Sequence, residues 1–550
     1  MTINQTAVKR RGAGALLAVA LATTAACSGS ATEVEKERVE LVSDTPAATA
    51  DVDSVRWALG SEPSTLDWVY SYDYPPNTVL SNVCESLMRI NSEFEISPGL
   101  AESFEQVDDT TWVYQIRPEV HFHDGSVLTA EDVAFSLNRH LDPDVGSYWS
   151  GFFTNVESIK ATGPLEVTVS LSAPDALVHQ MFAVAGGVIE SKAFVEKKGD
   201  QYGTPDGGLN CTGPFRLGEW TKGESISLER FDGYWDQDHA AKAASFDFSF
   251  IRDSNAATNA LLSGEIDGTF GVAAESVDKL RKSGVGKLYY GANTATNNLT
   301  VANLDGPLKD VRIRRALSMA LDREGFSEVA TNGVSEPSRA VASRLTWGTG
   351  ETEKLYADAW EDLPSADQDV AAAKALVEEA GAPAEPIVIA AVMSTPSAAV
   401  LANEVQAAGK RIGLEVEIKP IAADAYTALF GDPEARKGID LFSNTWYADV
   451  ADPLVIYLNW QSENFANYAG WKNADYDRLV QQAREESDPV TRAESVIELQ
   501  RMATEEVLWI PVVQSPNSVF QGDGVTGAPA TNAYLYYPWA AQVGAAGNDG

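Results

Sequence analysis

Residues 98–139 constrain the fold more than any other part of this 550-residue chain. Apolar side chains alternate with polar ones over residues 112–116, which predicts a half-buried β-strand. The same alternation over residues 120–123 predicts a second strand, and the Asp-Gly pair that follows is a turn signal. Thr129 then precedes two carboxylates and an apolar series, which predicts a helix capped by Thr129. The stretch is therefore predicted to form one compact unit.

Several short motifs in this stretch occur in a fixed order. Residues 98–104 read PGLAESF, residues 122–125 read FHDG and residues 129–133 read TAEDV. This order resembles the signature region of the extracellular solute-binding proteins of ABC transporters, family 5, which is the oligopeptide and dipeptide class. Further matches to the pattern of that family follow at residues 62–67, 210–217, 228–235, 264–267, 303–323, 446–453 and 509–512.

The length of the chain predicts two or three domains, because 550 residues are many for one hydrophobic core. The resemblance implies an α/β, two-lobed periplasmic-binding-protein-like (type II) fold, with an additional domain inserted in the larger lobe. Its lobes would close over a ligand around a hinge. By this resemblance lobe I comprises residues 55–84, 205–292 and 515–540, the extra domain residues 85–204, and lobe II residues 293–514. Residues 98–139 then lie in the extra domain, and we do not expect them to contact the ligand.

The N-terminus has the pattern of an export signal. Three basic residues precede an apolar run over residues 14–22, which is too short to span a membrane. Residues 24–27 (TAAC) resemble a lipobox, in which Cys27 becomes the lipidated first residue. We therefore predict a signal peptide over residues 1–26, a flexible tether over residues 27–54, and a lipid anchor at the outer face of the cytoplasmic membrane. The alternative is an ordinary signal peptide with a chance cysteine.

Two further cysteines, Cys84 and Cys211, complete the set of three. In an exported protein such a pair fits either a disulfide or two buried thiols. His121 and His123 would point to one face of the predicted strand, which is a possible metal pair. The family pattern uses only His123, and no Cys/His spacing indicates zinc. We therefore predict no metal site and no cofactor.

The net charge and the absence of common catalytic and nucleotide-binding motifs exclude several classes of function. The formal net charge of −38 argues against nucleic acid and anionic lipid head groups as partners. The sequence holds no HExxH, no GxSxG and no P-loop motif. A binding protein is therefore predicted, not an enzyme, and an exported hydrolase is the alternative from another class.

The resemblance also implies a ligand site in a predicted strand over residues 446–449 and at the residue before it, namely Thr445, Trp446, Tyr447, Ala448 and Asp449. In peptide binders of the family the carboxylate at the position of Asp449 pairs with the α-ammonium of the peptide. Loss of one partner of a buried ion pair costs about 3–5 kcal/mol, so such a pair is a strong anchor. The backbone at Thr445 and Tyr447 would bind an extended peptide as an added strand. The alternative for Asp449 is a helix N-cap or a hinge carboxylate.

Three further residues are cleft candidates. Phe270 and Gly271 follow one of the family motifs, and Tyr74 belongs to an aromatic loop with Tyr70 and Tyr72. The alternative for the aromatic loop is a packing cluster.

By resemblance, the chain is expected to be a monomeric receptor that captures peptides outside the cytoplasm and delivers them to an ABC permease with its ATPase. Other members of the family take nickel chelates, haem, opines or oligosaccharides, and these solutes remain alternatives. A surface receptor that senses peptides without transport is a further alternative.

Overall fold

A computed structural model describes residues 39–547. The predicted signal peptide, Cys27 and the first part of the predicted tether lie outside the described residues. No helix within residues 39–547 combines the length and the apolar character needed to cross a membrane.

The strands, in chain order, are β1 Val52–Leu59, β2 Met88–Ile90, β3 Ile96–Pro98, β4 Ala101–Asp108, β5 Thr111–Ile116, β6 Val156–Gly163, β7 Glu166–Leu171, β8 Phe215–Thr221, β9 Ser225–Arg230, β10 Ala243–Phe250, β11 Gly268–Phe270, β12 Gly286–Gly291, β13 Thr296–Val301, β14 Glu336–Pro337, β15 Ile387–Ala391, β16 Val416–Pro420, β17 Leu441–Trp446, β18 Trp509–Gln514, β19 Asn517–Gly522, β20 Val525–Thr526 and β21 Gly544–Ala545.

The α-helices are α1 Tyr74–Leu80, α2 Ala130–Asn138, α3 Val178–Met181, α4 Lys192–Lys198, α5 Ser254–Ser263, α6 Ala274–Ser283, α7 Val311–Ala320, α8 Arg323–Thr331, α9 Glu351–Glu361, α10 Val370–Ala380, α11 Pro396–Ile412, α12 Ala423–Tyr426, α13 Ala428–Gly431, α14 Leu454–Tyr457, α15 Ala474–Glu485 and α16 Pro489–Glu506.

Two large mixed sheets form the frame of the described chain. The first has the order β12-β19-β11-β1-β10-β9-β8, with β1 parallel to β10 and β11 and the other pairs antiparallel. The second has the order β14-β18-β13-β17-β15-β16. Helix α11 buries Val405, Ala408 and Ile412 against β15 and β16 of the second sheet. Apolar side chains on one helix face and on the sheet thus exclude water together.

A smaller antiparallel sheet, β4-β5-β7-β6, packs against α2, and its strands β4 and β5 belong to the stretch 98–139. The predicted helix start is confirmed, because Thr129 and Asp132 bond each other's backbone N–H in a capping box. The second predicted strand, over residues 120–123, is wrong. His121 makes only an isolated bridge to Val127, because the chain reverses at once in the Asp-Gly turn.

The structure joins Cys84 and Cys211 in a disulfide, with their Cα atoms 4.9 Å apart. Both residues are buried. The bond links the segment that precedes the four-stranded sheet to the segment that follows it, across a sequence separation of 127 residues. Of the two alternatives for this pair, the structure shows the bridge.

The predicted flexible tether, residues 27–54, extends too far, because its last part is bonded to the folded chain. Leu41 bridges to Tyr290, and Ala50 bridges to Ala545. Thr45 is buried, and its Oγ1 donates to the carbonyl oxygen of Ala528 at 2.8 Å. Residues 41–54 therefore pack along the first sheet, and β1 already begins at Val52. The segment is held mainly by backbone hydrogen bonds, which a polar sequence without apolar periodicity can make.

Candidate functional site

A cavity of about 650 Å³ is lined by five stretches of the chain, residues 72–74, 147–152, 426–430, 445–449 and 455–465. Its volume falls in the range of about 300–1,000 Å³ that is usual for pockets of small ligands. The stretches come from the start of α1, from the connection between α2 and β6, and from the region around β17. The cavity is therefore built by tertiary packing of segments far apart in sequence.

Strand β17 presents an open backbone edge next to the cavity. On one side it pairs with β13 along its whole length, from Leu441 to Trp446. On the other side β15 pairs with it only at Leu441 and Phe442. Within residues 39–547, no strand therefore pairs with this side of residues 443–446. An unpaired strand edge is a template for the main chain of an extended ligand.

The predicted strand over residues 446–449 is wrong beyond Trp446, because the chain leaves the sheet there. β13 begins at Thr296, opposite Trp446, so no backbone partner continues the ladder. Side chains hold the departing segment instead. Thr294 Oγ1 donates to the carbonyl oxygen of Ala448 at 2.7 Å, and Tyr447 Oη donates to the carbonyl oxygen of Tyr72 at 3.0 Å. These contacts place the next residue, a carboxylate, at the cavity wall.

That residue, Asp449, is half-buried and lines the cavity. Tyr536 Oη donates a hydrogen bond to Asp449 Oδ1. Burial raises the pKa of Asp449 to about 7, although the hydrogen bond from Tyr536 acts in the opposite direction. No Lys, Arg or His of the described chain forms an ion pair with this carboxylate. Asp449 is thus a carboxylate of the cavity wall without an ionic partner among the described residues.

Aromatic rings cover much of the cavity wall. Tyr72 stacks on Tyr148 with ring centroids 4.4 Å apart, and Phe465 meets Tyr148 edge-on at 5.1 Å. Tyr74 and Tyr447 meet edge-on at 5.2 Å. Such faces favour apolar groups and cations, since the ring quadrupole presents negative charge.

The charged residues of the lining are all acidic: Asp73, Asp449 and Glu463. Glu463 is highly exposed and pairs with Lys472 at 3.0 Å. Asp73 retains contact with solvent, yet partial desolvation raises the pKa of its carboxyl above the ordinary value. The cavity therefore carries a negative potential and no basic side chain in its lining. Within residues 39–547, no group of three or more His, Cys, Asp or Glu side chains is arranged to hold a metal ion.

The structure brings five of the predicted ligand residues together in this lining, namely Tyr74, Thr445, Trp446, Tyr447 and Asp449. The other three predicted residues, Ala448, Phe270 and Gly271, are absent from the cavity lining. Ala448 is fully covered, and Phe270 stacks on Tyr534 at 3.7 Å within an aromatic cluster. Gly271 donates its N–H to Ser518 at the end of the first sheet. None of these three positions lines the cavity. The first sheet directs Phe270 and Gly271 into its own packing, and the Ala448 side chain is buried just beyond β17 of the second sheet.

Several lining residues were missed by sequence reasoning. Asp73 stands inside the aromatic loop but shows no motif of its own. Tyr148 lies in the predicted extra domain, which resemblance placed away from the ligand. The segments 426–430 and 455–465 carry no recognisable pattern. For these missed residues, the aromatic loop was the only signal in the sequence, and it could have indicated Asp73. The other residues reach the cavity through the packing of segments that are distant in sequence.

His123, which belongs to the family pattern, has a structural setting. Its Nε2 lies 3.0 Å from the carbonyl oxygen of Gly213. Burial lowers the pKa of His123 to about 4, so the ring is neutral at physiological pH. This histidine therefore joins two segments of the fold, and it does not line the cavity.

Comparisons with known proteins agree with this architecture. The chain is 27% identical over 480 residues to the dipeptide-binding protein DppE of Bacillus subtilis, with 82% of this chain and 85% of that protein covered. It is 26% identical over 499 residues to the periplasmic oligopeptide-binding protein OppA of Salmonella typhimurium, with 86% and 90% covered. The periplasmic binding protein DppA of Helicobacter pylori, solved in complex with the peptide STSA, superimposes with a TM-score of 0.79 at 21% identity, covering 90% of this chain and 98% of that one.

The structural likeness confirms the predicted type II periplasmic-binding-protein fold. Residues 95–468 match the family described as bacterial extracellular solute-binding proteins, family 5, middle part. This match extends over more than half of the 550 residues. The chain therefore belongs to the bacterial extracellular solute-binding proteins of family 5.

Proposed function

We propose that this protein captures peptides in the cavity beside β17 and delivers them to an ABC permease and its ATPase. The observation that carries the proposal is the position of Asp449, an acid without a cationic partner at the end of an open strand edge. Dipeptide- and oligopeptide-binding relatives support the same ligand class. The protein would bind its ligand and release it unchanged.

The chemistry of a peptide N-terminus fits this arrangement. Its ammonium group needs a carboxylate when it leaves water, and Asp449 supplies one. Its main chain needs hydrogen-bond partners, and the backbone of Thr445 on the edge that no strand of the described chain covers supplies them. The carbonyl oxygen of Ser443 on the same edge already accepts a hydrogen bond from Tyr426 Oη at 2.6 Å. Main-chain bonding reads no side chains, so one cavity of this kind accommodates many sequences.

The predicted division into lobes and an extra domain remains our proposal. The first large sheet would be the frame of lobe I, and the second that of lobe II. Closure would bring Tyr72 and Tyr536 of one side against Tyr447 and Asp449 of the other, as the hydrogen bonds between these residues suggest. The lipid anchor at Cys27 would keep the protein at the outer face of the cytoplasmic membrane.

Calorimetric titration tests the ligand class. We expect trialanine with a free amino group to bind, and N-acetylated trialanine to bind at least about thirtyfold more weakly, which corresponds to about 2 kcal/mol for a lost charge pair. Asp449→Asn should bind both peptides equally weakly. Equal binding of the two peptides by the wild-type protein would refute the ammonium site. Tight binding of an opine, haem, a nickel chelate or an oligosaccharide, without peptide binding, would refute the peptide proposal.

A separate experiment tests the anchor. Cys27→Ala removes the thiol that lipidation requires, so we expect the exported protein to leave the membrane fraction. Retention of the variant in that fraction would contradict anchoring through Cys27.

A further inference from the structure

Asp73 is a second carboxylate of the cavity that is not neutralised by the protein. It immediately precedes α1, and its Oδ1 accepts a hydrogen bond from the backbone N–H of Tyr74 at 2.8 Å. Its Oδ2 receives no hydrogen bond from the residues that the structure describes. No Lys, Arg or His among them forms an ion pair with it either, so its charge has no internal partner.

Asp73 and Asp449 act on the same group of tyrosines. The charges of both carboxylates raise the pKa of Tyr74, Tyr148 and Tyr447, and burial of these phenols is the larger cause. The two acids therefore flank one aromatic wall. Carboxylates combined with ring faces make an environment that attracts cations, since both carry negative potential.

Asn459 independently indicates that the cavity is built for a ligand. It lines the cavity and is only 5% exposed, yet its side-chain Nδ2 has no hydrogen-bond partner among the described residues. A buried donor without a partner is costly, so an acceptor from outside the protein would stabilise it. An amide nitrogen suits a neutral carbonyl oxygen of the ligand, and it provides no positive charge for a carboxylate.

We propose that Asp73 binds a second positive charge of the ligand, so that the protein selects peptides with a lysine or arginine side chain close to the free amino terminus. This inference depends on the proposed peptide function, in which Asp449 binds the α-ammonium. With both acids paired, the charges of the half-buried Asp449 and of the more exposed Asp73 are compensated together. An acidic side chain in the same place meets two carboxylates and no base, so peptides that carry it are rejected.

Titration with matched tripeptides tests this selection on the mature, full-length protein. Lys-Ala-Ala and Ala-Lys-Ala are compared with the same peptides in which norleucine replaces lysine, which keeps the apolar stem and removes the charge. At least one lysine peptide should bind about tenfold more tightly than its norleucine counterpart, as a charge-assisted hydrogen bond to a partly solvated carboxylate implies. The corresponding glutamate peptide should bind more weakly than both.

The variants Asp73→Asn and Asp73→Ser should reduce this ratio to about one. Both residues can still cap α1, so the fold is preserved. The matched control is Asp253→Asn, since Asp253 caps α5 outside the cavity through a 2.8 Å bond to Ala256 N–H. This control should keep the tenfold preference. Unchanged thermal unfolding would show that all three variants are folded.

The outcomes separate the two proposals. If free-amine peptides bind without any preference for lysine, or if both Asp73 variants keep the preference, the role of Asp73 is refuted and the peptide function stands. If no free-amine peptide binds at all, the peptide function is refuted and the role of Asp73 falls with it.

Discussion

Binding of a simple peptide should become about twentyfold tighter between pH 5.5 and pH 7.5. The cause is Asp449, whose pKa burial raises to about 7. Only its ionised form pairs with an ammonium. About 3% of the carboxyl is ionised at pH 5.5 and about three quarters at pH 7.5, while the α-ammonium of a peptide, with a pKa of about 8, loses only about a quarter of its charge. The product of the two fractions rises about twentyfold, reaches its maximum at about pH 7.5, and falls at higher pH as the amine loses its proton.

Trialanine is the suitable ligand for this measurement, because it has no titrating side chain. Calorimetry at several pH values in buffers of different ionisation enthalpy gives both the affinity and the protons released. Binding at pH 6 or below should release close to one proton, and about half a proton at pH 7, since the complex holds Asp449 ionised. The variant Asp449→Asn should lose the dependence on pH over this range. A wild-type affinity that stays flat from pH 5.5 to 7.5 would refute the reasoning, because it would indicate a carboxyl with an ordinary pKa near 4.

The same shift has an opposite effect on the stability of the free protein. The folded state binds the proton of Asp449 more tightly than the unfolded state, whose carboxyl has a pKa near 4. Its contribution to stability is therefore fully present below about pH 4 and is lost as the pH rises towards 7. Ligand binding and folding stability thus depend on pH in opposite directions at this residue.

Three further predictions concern residues on which the site or the fold depends. Tyr536→Phe removes the hydrogen bond that lowers the pKa of Asp449, so the midpoint of the pH profile for binding should move upward; an unchanged midpoint would contradict the assigned contact. Replacing both Cys84 and Cys211 by alanine should lower the free energy of unfolding by about 2–5 kcal/mol in denaturant titrations, and no loss would contradict a stabilising role of the bridge. Phe270→Leu should lower the melting temperature through lost ring packing and leave peptide affinity unchanged, whereas a selective loss of affinity would return Phe270 to the ligand site.

Local patterns predicted local structure well. The helix start at Thr129 and the strand over residues 112–116, which is part of β5, each follow from residue types within one short window. The error over residues 120–123 arose where alternation of side chains competed with a turn, and the turn decided the outcome. The error over residues 41–54 has a different origin, because backbone hydrogen bonds leave no apolar pattern in the sequence.

The cavity could be predicted only in part, for a physical reason. Thr445, Trp446, Tyr447 and Asp449 are neighbours in sequence, so one motif identified all of them. Other lining residues, Tyr148 for example, reach the cavity through the packing of segments hundreds of residues apart. No local pattern specifies such distances, and none distinguishes Asp73, which caps a short helix, from many other capping acids.

A crystal structure with bound trialanine would locate the ammonium site in the cavity. We expect the peptide nitrogen about 2.7–2.9 Å from a carboxylate oxygen of Asp449, with main-chain hydrogen bonds to residues 444–447. A peptide bound elsewhere, or bound in this cavity with its nitrogen away from Asp449, would show that Asp449 does not anchor the ligand.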